Sequence, residues 1–394
     1  MNILFLSDIP FIPSLGGIER VTDILSKNLS SRGYNVFYLS GHNSSITKEY
    51  EYPAKAFYFP NEGLLDDEEN LRYYRQILVE KQIKVVVNQR GLQATFNKAY
   101  GVAGVRVVSV FHSQPKAYLY MSIYRILAHD KNLLGNIKAI VKYLIYPFLR
   151  SYIVYKKKIE LSKRYNYTMM QSSAVVLLSE KYIDELMSFN INLKHCPIVV
   201  IPNPNTYNYV KAISKDKVVL YVGRLSHYDK KPMRLLESWQ LLHEEFNDWK
   251  LVFVGDGDSL DEMRMYVKDH KLSNVCFEGQ SESVEKYYEK AAIICLTSNF
   301  EGWGMSLTEG MSYGCIPVTY NNFGAASDII DDGLNGYLIK PFDSKRYAKR
   351  LKELMSNPEL RYSMSREATI KVQKFSPEAI VDKWEALFRK ILEG

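Results

Sequence analysis

The chain has 394 residues, 46% of them hydrophobic and 24% charged, with a formal net charge of +7. That length exceeds one ordinary core and points to two domains of roughly 150–200 residues, and the apolar content supports globular folding. No run reaches about 18 uninterrupted apolar residues and the opening Met1 to Asp8 lacks a basic signal-peptide region, so a cytoplasmic chain is expected, without a transmembrane helix.

Short apolar runs alternate with helical segments throughout, the pattern of parallel sheets covered by helices. In the first half the strand candidates are Ile3–Ser7, Val36–Ser40, Ala56–Phe59, Lys84–Asn88, Val105–Phe111 and Val175–Ser179. After the first of them, Ser14-Leu15-Gly16-Gly17-Ile18-Glu19-Arg20-Val21 leads into a helix with apolar Val21, Ile24, Leu25 and Leu29. A glycine pair before a helix N-terminus suits an anion or a sugar, so Gly16 and Gly17 are candidates. Glu19 and Arg20 either favour the helix start or bind acceptor. His112 ends the strand Val107 to Phe111, at the edge where open α/β sheets place ligands; a structural hydrogen-bonding histidine is the plain alternative.

The charge is concentrated in residues 116–167, where eleven Lys and Arg face two acids, for +9, among nine tyrosines. Mixed basic and aromatic composition suits an anionic membrane surface; the plainer reading is a pair of amphipathic helices with a solvated basic face. No nucleic-acid motif accompanies the charge, so nucleic acid is not an expected partner. Val199 to Asn205, with prolines at 202 and 204, reads as a strand running into a linker.

The alternation then restarts with strand candidates Val218–Gly223, Lys250–Val254, Val275–Phe277, Ile293–Leu296 and Pro317–Tyr320, separated by helical patterns such as Met233–Phe246 and Asp258–His270. The closing helix is expected over Pro377–Leu392. Asn299-Phe300-Glu301-Gly302-Trp303-Gly304-Met305-Ser306-Leu307-Thr308-Glu309 is the most informative stretch. It turns on Gly302 and Gly304, which allow close backbone approach, and starts a helix whose first N–H groups, from Met305, Ser306 and Leu307, suit a phosphate or diphosphate. Two carboxylates beside an anion site make sense when the rest of the ligand is rich in hydroxyls, since ionised carboxylates accept strong hydrogen bonds from them. That combination describes a nucleotide sugar. The four cysteines, Cys196, Cys276, Cys295 and Cys315, lack metal-ligand spacing and read as reduced core thiols.

The Glu301-x7-Glu309 spacing, its Glu-Gly-aromatic-Gly opening, the Gly-Gly-x-Glu-Arg loop and Gly223-Arg224 followed by Lys230-Lys231 resemble the retaining GT-B glycosyltransferases of family 4. The resemblance spans nearly the whole chain and is sharpest in the second half. It implies two Rossmann-like domains facing across a cleft: residues 1–204 on the acceptor side, 205–375 on the donor side, and 376–394 as a helix crossing back to the first domain. By position it puts Glu301 on the donor sugar's hydroxyls, Glu309 on the ribose, and Arg224 with a lysine on the diphosphate. Lys230 fits that spacing better than Lys231. A guanidinium and an ammonium there neutralise the charge developing on a leaving nucleoside diphosphate. Gly223 opens the Gly-Arg-x(5)-Lys pattern at the donor site, Gly255 in its Gly-x-Gly turn shapes the nucleotide wall, Gly279 and Gln280 receive the base, and a histidine at the position of His112 lies by the donor sugar's hydroxyls. Trp303 stands where the family more often has Phe.

The resulting expectation is a metal-independent hexosyltransferase without cofactor, taking a nucleotide-sugar donor, UDP-sugar favoured, and a glycan acceptor. A lipid-linked oligosaccharide in surface polysaccharide synthesis is the preferred acceptor, which makes the protein peripheral at the inner membrane face. The rival is a sugar-nucleotide epimerase of the same shape. A nicotinamide-dependent enzyme would need Gly-x-Gly-x-x-Gly after the first strand, where this chain has Gly16-Gly17-Ile18-Glu19. A non-enzymatic sugar-binding protein is disfavoured by the set Arg224, Lys230, Glu301 and Glu309.

Overall fold

The computed structural model describes residues 1–41, 50–61, 67–92, 102, 104–121, 133–193, 196–208 and 214–393, and of residues 133–148 the backbone only. Two compact units emerge. The first contains a parallel sheet of β1 (Asn2–Ser7), β2 (Asn35–Ser40), β3 (Lys55–Tyr58), β4 (Val85–Asn88), β5 (Arg106–Phe111), β6 (Ala174–Leu177) and β7 (Ile198–Val200), in the order β3-β2-β1-β4-β5-β6-β7. The second contains β8 (Asp216–Val222), β9 (Lys250–Val254), β10 (Val275–Phe277), β11 (Ala291–Leu296), β12 (Ile316–Tyr320) and β13 (Tyr337–Ile339), in the order β10-β9-β8-β11-β12-β13, again parallel. Each order reverses beside its first strand, between β1 and β4 and between β8 and β11. Open α/β sheets bind ligands outside the carboxyl ends of strands at such reversals.

The strand sequences follow from burial on both faces. Val85-Val86-Val87-Asn88 and Ala291 to Leu296 are buried at every position, so they read as continuous apolar runs rather than alternating ones. Every strand anticipated from the sequence is present to within about two residues at its ends. The three-residue β13 is additional; it is too short for a periodic signal. Met233–Phe246 is helical only over Met233–Trp239, after which hydrogen-bonded turns carry the chain to Phe246.

The connecting helices are α1 (Gly17–Ser31), α2 (Glu68–Glu80), α3 (Leu133–Met170), α4 (Lys181–Met187), α5 (Met233–Trp239), α6 (Leu260–Asp269), α7 (Glu285–Lys290), α8 (Met305–Ser312), α9 (Ala326–Ile329), α10 (Ser344–Ser356), α11 (Pro358–Val372) and α12 (Pro377–Glu393). Asp67, Asp343 and Asn357 cap α2, α10 and α11 by accepting backbone N–H bonds three residues on, which fixes those helix starts. Within the basic segment the described residues include a helical start at 117–121 and the 38-residue α3. The basic residues Arg125 and Lys131 lie outside the described residues, as do the side chains of Lys138 and Lys142. In the remainder of α3, Leu161, Tyr165, Thr168 and Met169 are buried, and the Tyr165 hydroxyl donates to Pro115 O at 2.9 Å.

The units are not divided by a single cut in the chain. Ile12–Asn28, which hold the first glycine loop and much of α1, cluster with the second unit, and the chain from Glu385 onward clusters with the first. In the first unit Arg32 pairs with Glu385 at 2.7 Å, and the Tyr34 ring lies 6.5 Å from that of Phe388.

Candidate active site

In the second unit three strand ends meet. Gly223 follows β8, Gly255 follows β9 and Gly279 comes two residues after β10, and their backbones are laced together: Gly223 N–H donates to Val254 O at 3.0 Å, Leu225 N–H to Asp256 O at 2.8 Å and Gly255 N–H to Gly279 O at 2.8 Å. A Cβ on Gly255 would lie 2.0 Å from Gly223 O, and the residue has φ 143°. The glycine is therefore required by close passage of two backbones as well as by conformation. Gln280, next to Gly279, is exposed.

The turn from β8 to α5 carries Arg224, Lys230 and Lys231, and the turn from β11 to α8 carries Glu301. Lys230 Nζ lies 2.6 Å from Glu301 Oε1, which also accepts from Ser298 Oγ at 2.7 Å. Arg224 Nη2 lies 2.5 Å from Asp229 Oδ2. Burial pushes the Asp229 carboxyl upward, but the Ser226 hydroxyl and the charges of Arg224 and Lys230 outweigh it and hold Asp229 below its ordinary value. Lys231 is placed differently. It adopts φ 46°, its N–H donates to Ser226 O at 2.8 Å and its carbonyl accepts from Thr297 Oγ1 at 3.0 Å. Its backbone clamps the two turns together, while the Lys230 ammonium pairs with Glu301.

Gly304, at φ 93°, is the N-cap of α8. The first-turn N–H groups of a helix lack intrahelical acceptors. Here Leu307 N–H already donates to Gly304 O at 3.0 Å, so the outward-facing donors are those of Met305 and Ser306. Gly302 is part-buried in the preceding turn. Trp303 is buried, with its ring packed edge-on against Phe375 at 4.9 Å, a packing role that fixes the loop from behind. The first glycine loop reaches this helix start within the same unit. A Cβ on Gly17 would sit 3.8 Å from Met305 Cγ, and one on Gly16 would come 2.7 Å from Glu19 Oε2.

Glu309, one turn further along α8, is buried and accepts three hydrogen bonds, which leaves one acceptor position on Oε2. Arg20 Nη1 donates to its Oε1 at 2.8 Å, Thr206 Oγ1 to the same oxygen at 2.7 Å, and the Tyr288 hydroxyl to Oε2 at 2.8 Å. Burial pulls the Arg20 guanidinium down, yet the Glu309 carboxylate more than offsets it, so the net shift is upward. Burial and the same carboxylate push Tyr288 well above the usual phenol range, which keeps its hydroxyl protonated and donating.

In the first unit His112 stands just past β5 with Gln89, just past β4; His112 Nε2 and Gln89 Oε1 are 2.6 Å apart. Burial, assisted by the charge of Arg90, lowers the His112 pKa to about 3, so the ring is neutral. Arg90 Nε in turn pairs with Asp8 Oδ1, past β1, at 2.7 Å. A separate cavity of about 530 Å³, lined by Asp216, Lys217, Asp248 and Lys250 among others, opens beside the amino ends of β8 and β9 and contains none of these residues. Among the described residues, no three His, Cys, Asp or Glu side chains gather to hold a metal.

Two family models match the chain: Glycosyltransferase Family 4 over residues 15–204 and Glycosyl transferases group 1 over residues 207–371. The chain belongs to the group 1 glycosyltransferases of GT-B fold. An uncharacterized glycosyltransferase of Haemophilus influenzae is 30% identical over 193 residues, 48% of this chain and 54% of that protein. The amylovoran biosynthesis glycosyltransferase AmsD of Erwinia amylovora is 30% identical over 171 residues, 43% of this chain and 47% of that one. The chain thus spans about half the length of the curated relatives it matches. Among solved structures, a mutant of S. aureus TarM with Fondaparinux, alpha-GlcNAc-glycerol and UDP superposes with TM-score 0.75 at 15% identity, covering 98% of this chain and all of that one. Anabaena HepE in complex with UDP gives 0.72 at 16%, covering 99% of this chain and 100% of the other.

In this glycosyltransferase the second unit gathers Arg224, Lys230, Glu301, Gly304, Met305 and Gly17 about one strand reversal. Sequence reading missed Asp229, Thr206 and Tyr288. Asp229 lies inside the five-residue spacer between Arg224 and Lys230, where an acid between two candidate cations is a usable signal. Thr206 and Tyr288 have no such signal, because only the fold brings the linker and α7 to Glu309.

Proposed function

We propose that this glycosyltransferase is a retaining hexosyltransferase that moves a sugar from a nucleoside diphosphate donor, UDP-sugar favoured, to a lipid-linked glycan acceptor in surface polysaccharide synthesis. The observation that carries this reading is the Lys230–Glu301 contact of 2.6 Å beside the α8 N-terminus: a cation for a leaving phosphate and an acceptor for sugar hydroxyls, side by side. The diphosphate lies against the Met305 and Ser306 N–H groups. Arg224 and Lys230 neutralise the charge that grows as the bond from C1 to the phosphate oxygen breaks, which supplies electrophilic assistance without a metal. The acceptor oxygen bonds to C1 from the face the phosphate leaves, and its proton passes to that phosphate oxygen. Glu301 orients the sugar and Glu309 the ribose.

Relatives support the transferred hexose and the glycan acceptor by their printed names, among them a Campylobacter jejuni N-acetylgalactosaminyltransferase acting on a PP-undecaprenol-linked glycan and a lipopolysaccharide 1,6-galactosyltransferase of Salmonella typhimurium. No helix among the described residues is long and apolar enough to cross a membrane. Support for peripheral contact comes from one exposed stripe of α3, in which Tyr152, Ile159, Tyr167 and Met170 alternate with Lys156 and Lys163.

The test is a thermal-shift series with UDP, GDP, ADP and CMP, since a nucleotide bound only by the native state raises its melting temperature. A selective shift with UDP supports the donor class, and no shift with any of the four overturns the reading. Product analysis with acceptor omitted separates transfer from epimerisation.

A further inference from the structure

The segment that follows β7 buries polar side chains that a connecting segment ordinarily leaves in water. Asn203 and Asn205 are 7% and 3% exposed, and their side chains reach α8. Asn203 Nδ2 lies 3.7 Å from Met305 Sδ, Thr206 Oγ1 donates to Glu309 Oε1 at 2.7 Å, and Asn205 Nδ2 donates to Ser312 Oγ. Met305, Glu309 and Ser312 are four and three residues apart, so they form one stripe of the helix, and the segment lies along it. Asn205 also closes a ring of contacts. Its N–H donates to Phe375 O at 2.7 Å, and the Phe375 ring packs on Trp303, which leads through Gly304 into α8. Both ends of α8 are thus fixed at one residue, the start through Trp303 and Phe375, the end through Ser312.

These contacts decide how Glu309 presents itself. A carboxylate has about four acceptor positions, two on each oxygen. Oε1 uses both of its own, on Arg20 Nη1 at 2.8 Å and on Thr206 Oγ1, while Oε2 uses one on the Tyr288 hydroxyl at 2.8 Å. The open position is therefore on Oε2. The last torsion of a glutamate is soft, so its carboxylate turns freely unless its oxygens are held. Thr206 and Arg20, gripping Oε1 together, hold it.

We infer that Thr206 and Asn205 are positioning residues for nucleotide recognition. Thr206 aims the open Oε2 position of Glu309 at a ribose hydroxyl. Asn205 sets the placement of α8, and with it the Met305 and Ser306 N–H groups that face the diphosphate. Both act through α8 rather than by touching the nucleotide. The inference rests on the proposed donor reading, in which Glu309 meets the ribose and the start of α8 meets the diphosphate.

The experiment measures affinities of UDP, GDP and ADP, and of their dideoxy analogues lacking both ribose hydroxyls, for the full chain and four variants. These are Thr206→Val, Thr206→Ser, Asn205→Ala and Ser312→Ala, with melting temperatures recorded without ligand. Wild type is expected to bind one nucleotide at least about tenfold more tightly than its dideoxy analogue, as a hydrogen bond to a charged group warrants. Thr206→Val keeps the side chain's shape and removes its hydroxyl; it should cut that preference to below about threefold with the dideoxy affinity unchanged. Thr206→Ser should restore it. Asn205→Ala and Ser312→Ala should instead weaken a nucleotide and its analogue alike, by about tenfold in the first, and Ser312→Ala carries this arm alone if Asn205→Ala does not fold. Lower melting temperatures in the variants, with wild-type affinities and preference, would assign these contacts to stability alone and overturn the inference. Equal losses for nucleotide and analogue in Thr206→Val would overturn the role given to Thr206. Failure of the donor reading looks different. A wild type that binds a nucleotide and its dideoxy analogue equally takes the ribose away from Glu309, and one that binds none of the three removes the site; in both cases the positioning role falls with it.

Discussion

Arg20 and Glu309, 289 residues apart in the chain, are joined by a contact of 2.8 Å between Nη1 and Oε1. The pair ties the first glycine loop to α8 and explains why Ile12–Asn28 cluster with the second unit. Glu309 has only 2% of its side chain exposed, so deleting its cation strands a buried carboxylate. Breaking such a pair costs about 3–5 kcal/mol, and the remaining Thr206 and Tyr288 donors favour the lower end. Arg20→Ala is therefore expected to lower stability by about 3 kcal/mol, with Arg20→Lys recovering part of the loss. Denaturant titration checks this; an unchanged midpoint in Arg20→Ala would show that the two hydroxyls suffice.

Lys230 and Lys231 are adjacent yet should respond unequally to truncation. Lys230 Nζ is in the site, 2.6 Å from Glu301, whereas Lys231 acts through its N–H and carbonyl. Removing one preorganised charge-stabilising donor costs about 10²–10³ in rate. Lys230→Ala should lower kcat/KM by that amount with a near-normal melting temperature, and Lys231→Ala by less than about tenfold. Lys231 also sits at φ 46°, a conformation glycine tolerates and β-branched residues do not. Lys231→Gly should be folded and Lys231→Val clearly destabilised, as followed by denaturant midpoints. Equal activity losses in the two alanine variants would contradict the division of labour.

What the sequence revealed follows its local signals. Strands such as Val85 to Asn88 and Ala291 to Leu296 were legible because burial on both faces writes a continuous apolar run. Glycines 302 and 304 before Met305 were legible because a strand, a turn and a helix start are contiguous in the chain. Long-range relations were not legible: nothing near Glu19-Arg20 in the chain indicates that Arg20 pairs with a carboxylate on α8. For the same reason the partners of Glu309 and the cluster of Gln89 with His112 emerge only when separate strand ends are brought together.

The strand-end turns permit a sharper test of backbone packing. Gly255 and Gly279 both have positive φ, 143° and 69°. They differ in surroundings: a Cβ at Gly255 meets Gly223 O at 2.0 Å, whereas nothing lies within 4 Å of one at Gly279. Gly279→Ala should cost about 1–2 kcal/mol, the conformational term alone. Gly255→Ala adds a backbone collision that no side-chain rotation relieves, so it should cost more than about 2 kcal/mol and move β8 against β9. Denaturation of the two variants, compared with UDP-induced thermal shifts, tests this. A smaller cost at Gly255 than at Gly279 would mean that the laced turns yield easily.

His112 gives the chain a pH dependence of known sign. Its pKa is lowered from 6.5 to about 3, first by burial and then by Arg90, so in the fold the ring stays neutral where the unfolded chain would protonate it. Below pH 6.5 the unfolded state therefore binds more protons, and the contribution of His112 to stability is lost as pH falls from 6.5 toward 3. The bound on the slope is about 1.4 kcal/mol per pH unit for one such group. Replacing the ring removes that proton linkage while other groups titrate as before. Denaturant unfolding of wild type and His112→Gln at intervals between pH 4 and 7 isolates the term: the stability advantage of wild type should shrink steadily as pH falls. Parallel curves would mean that His112 protonates equally in the folded and unfolded chain, and that its ring is not held neutral beside Gln89.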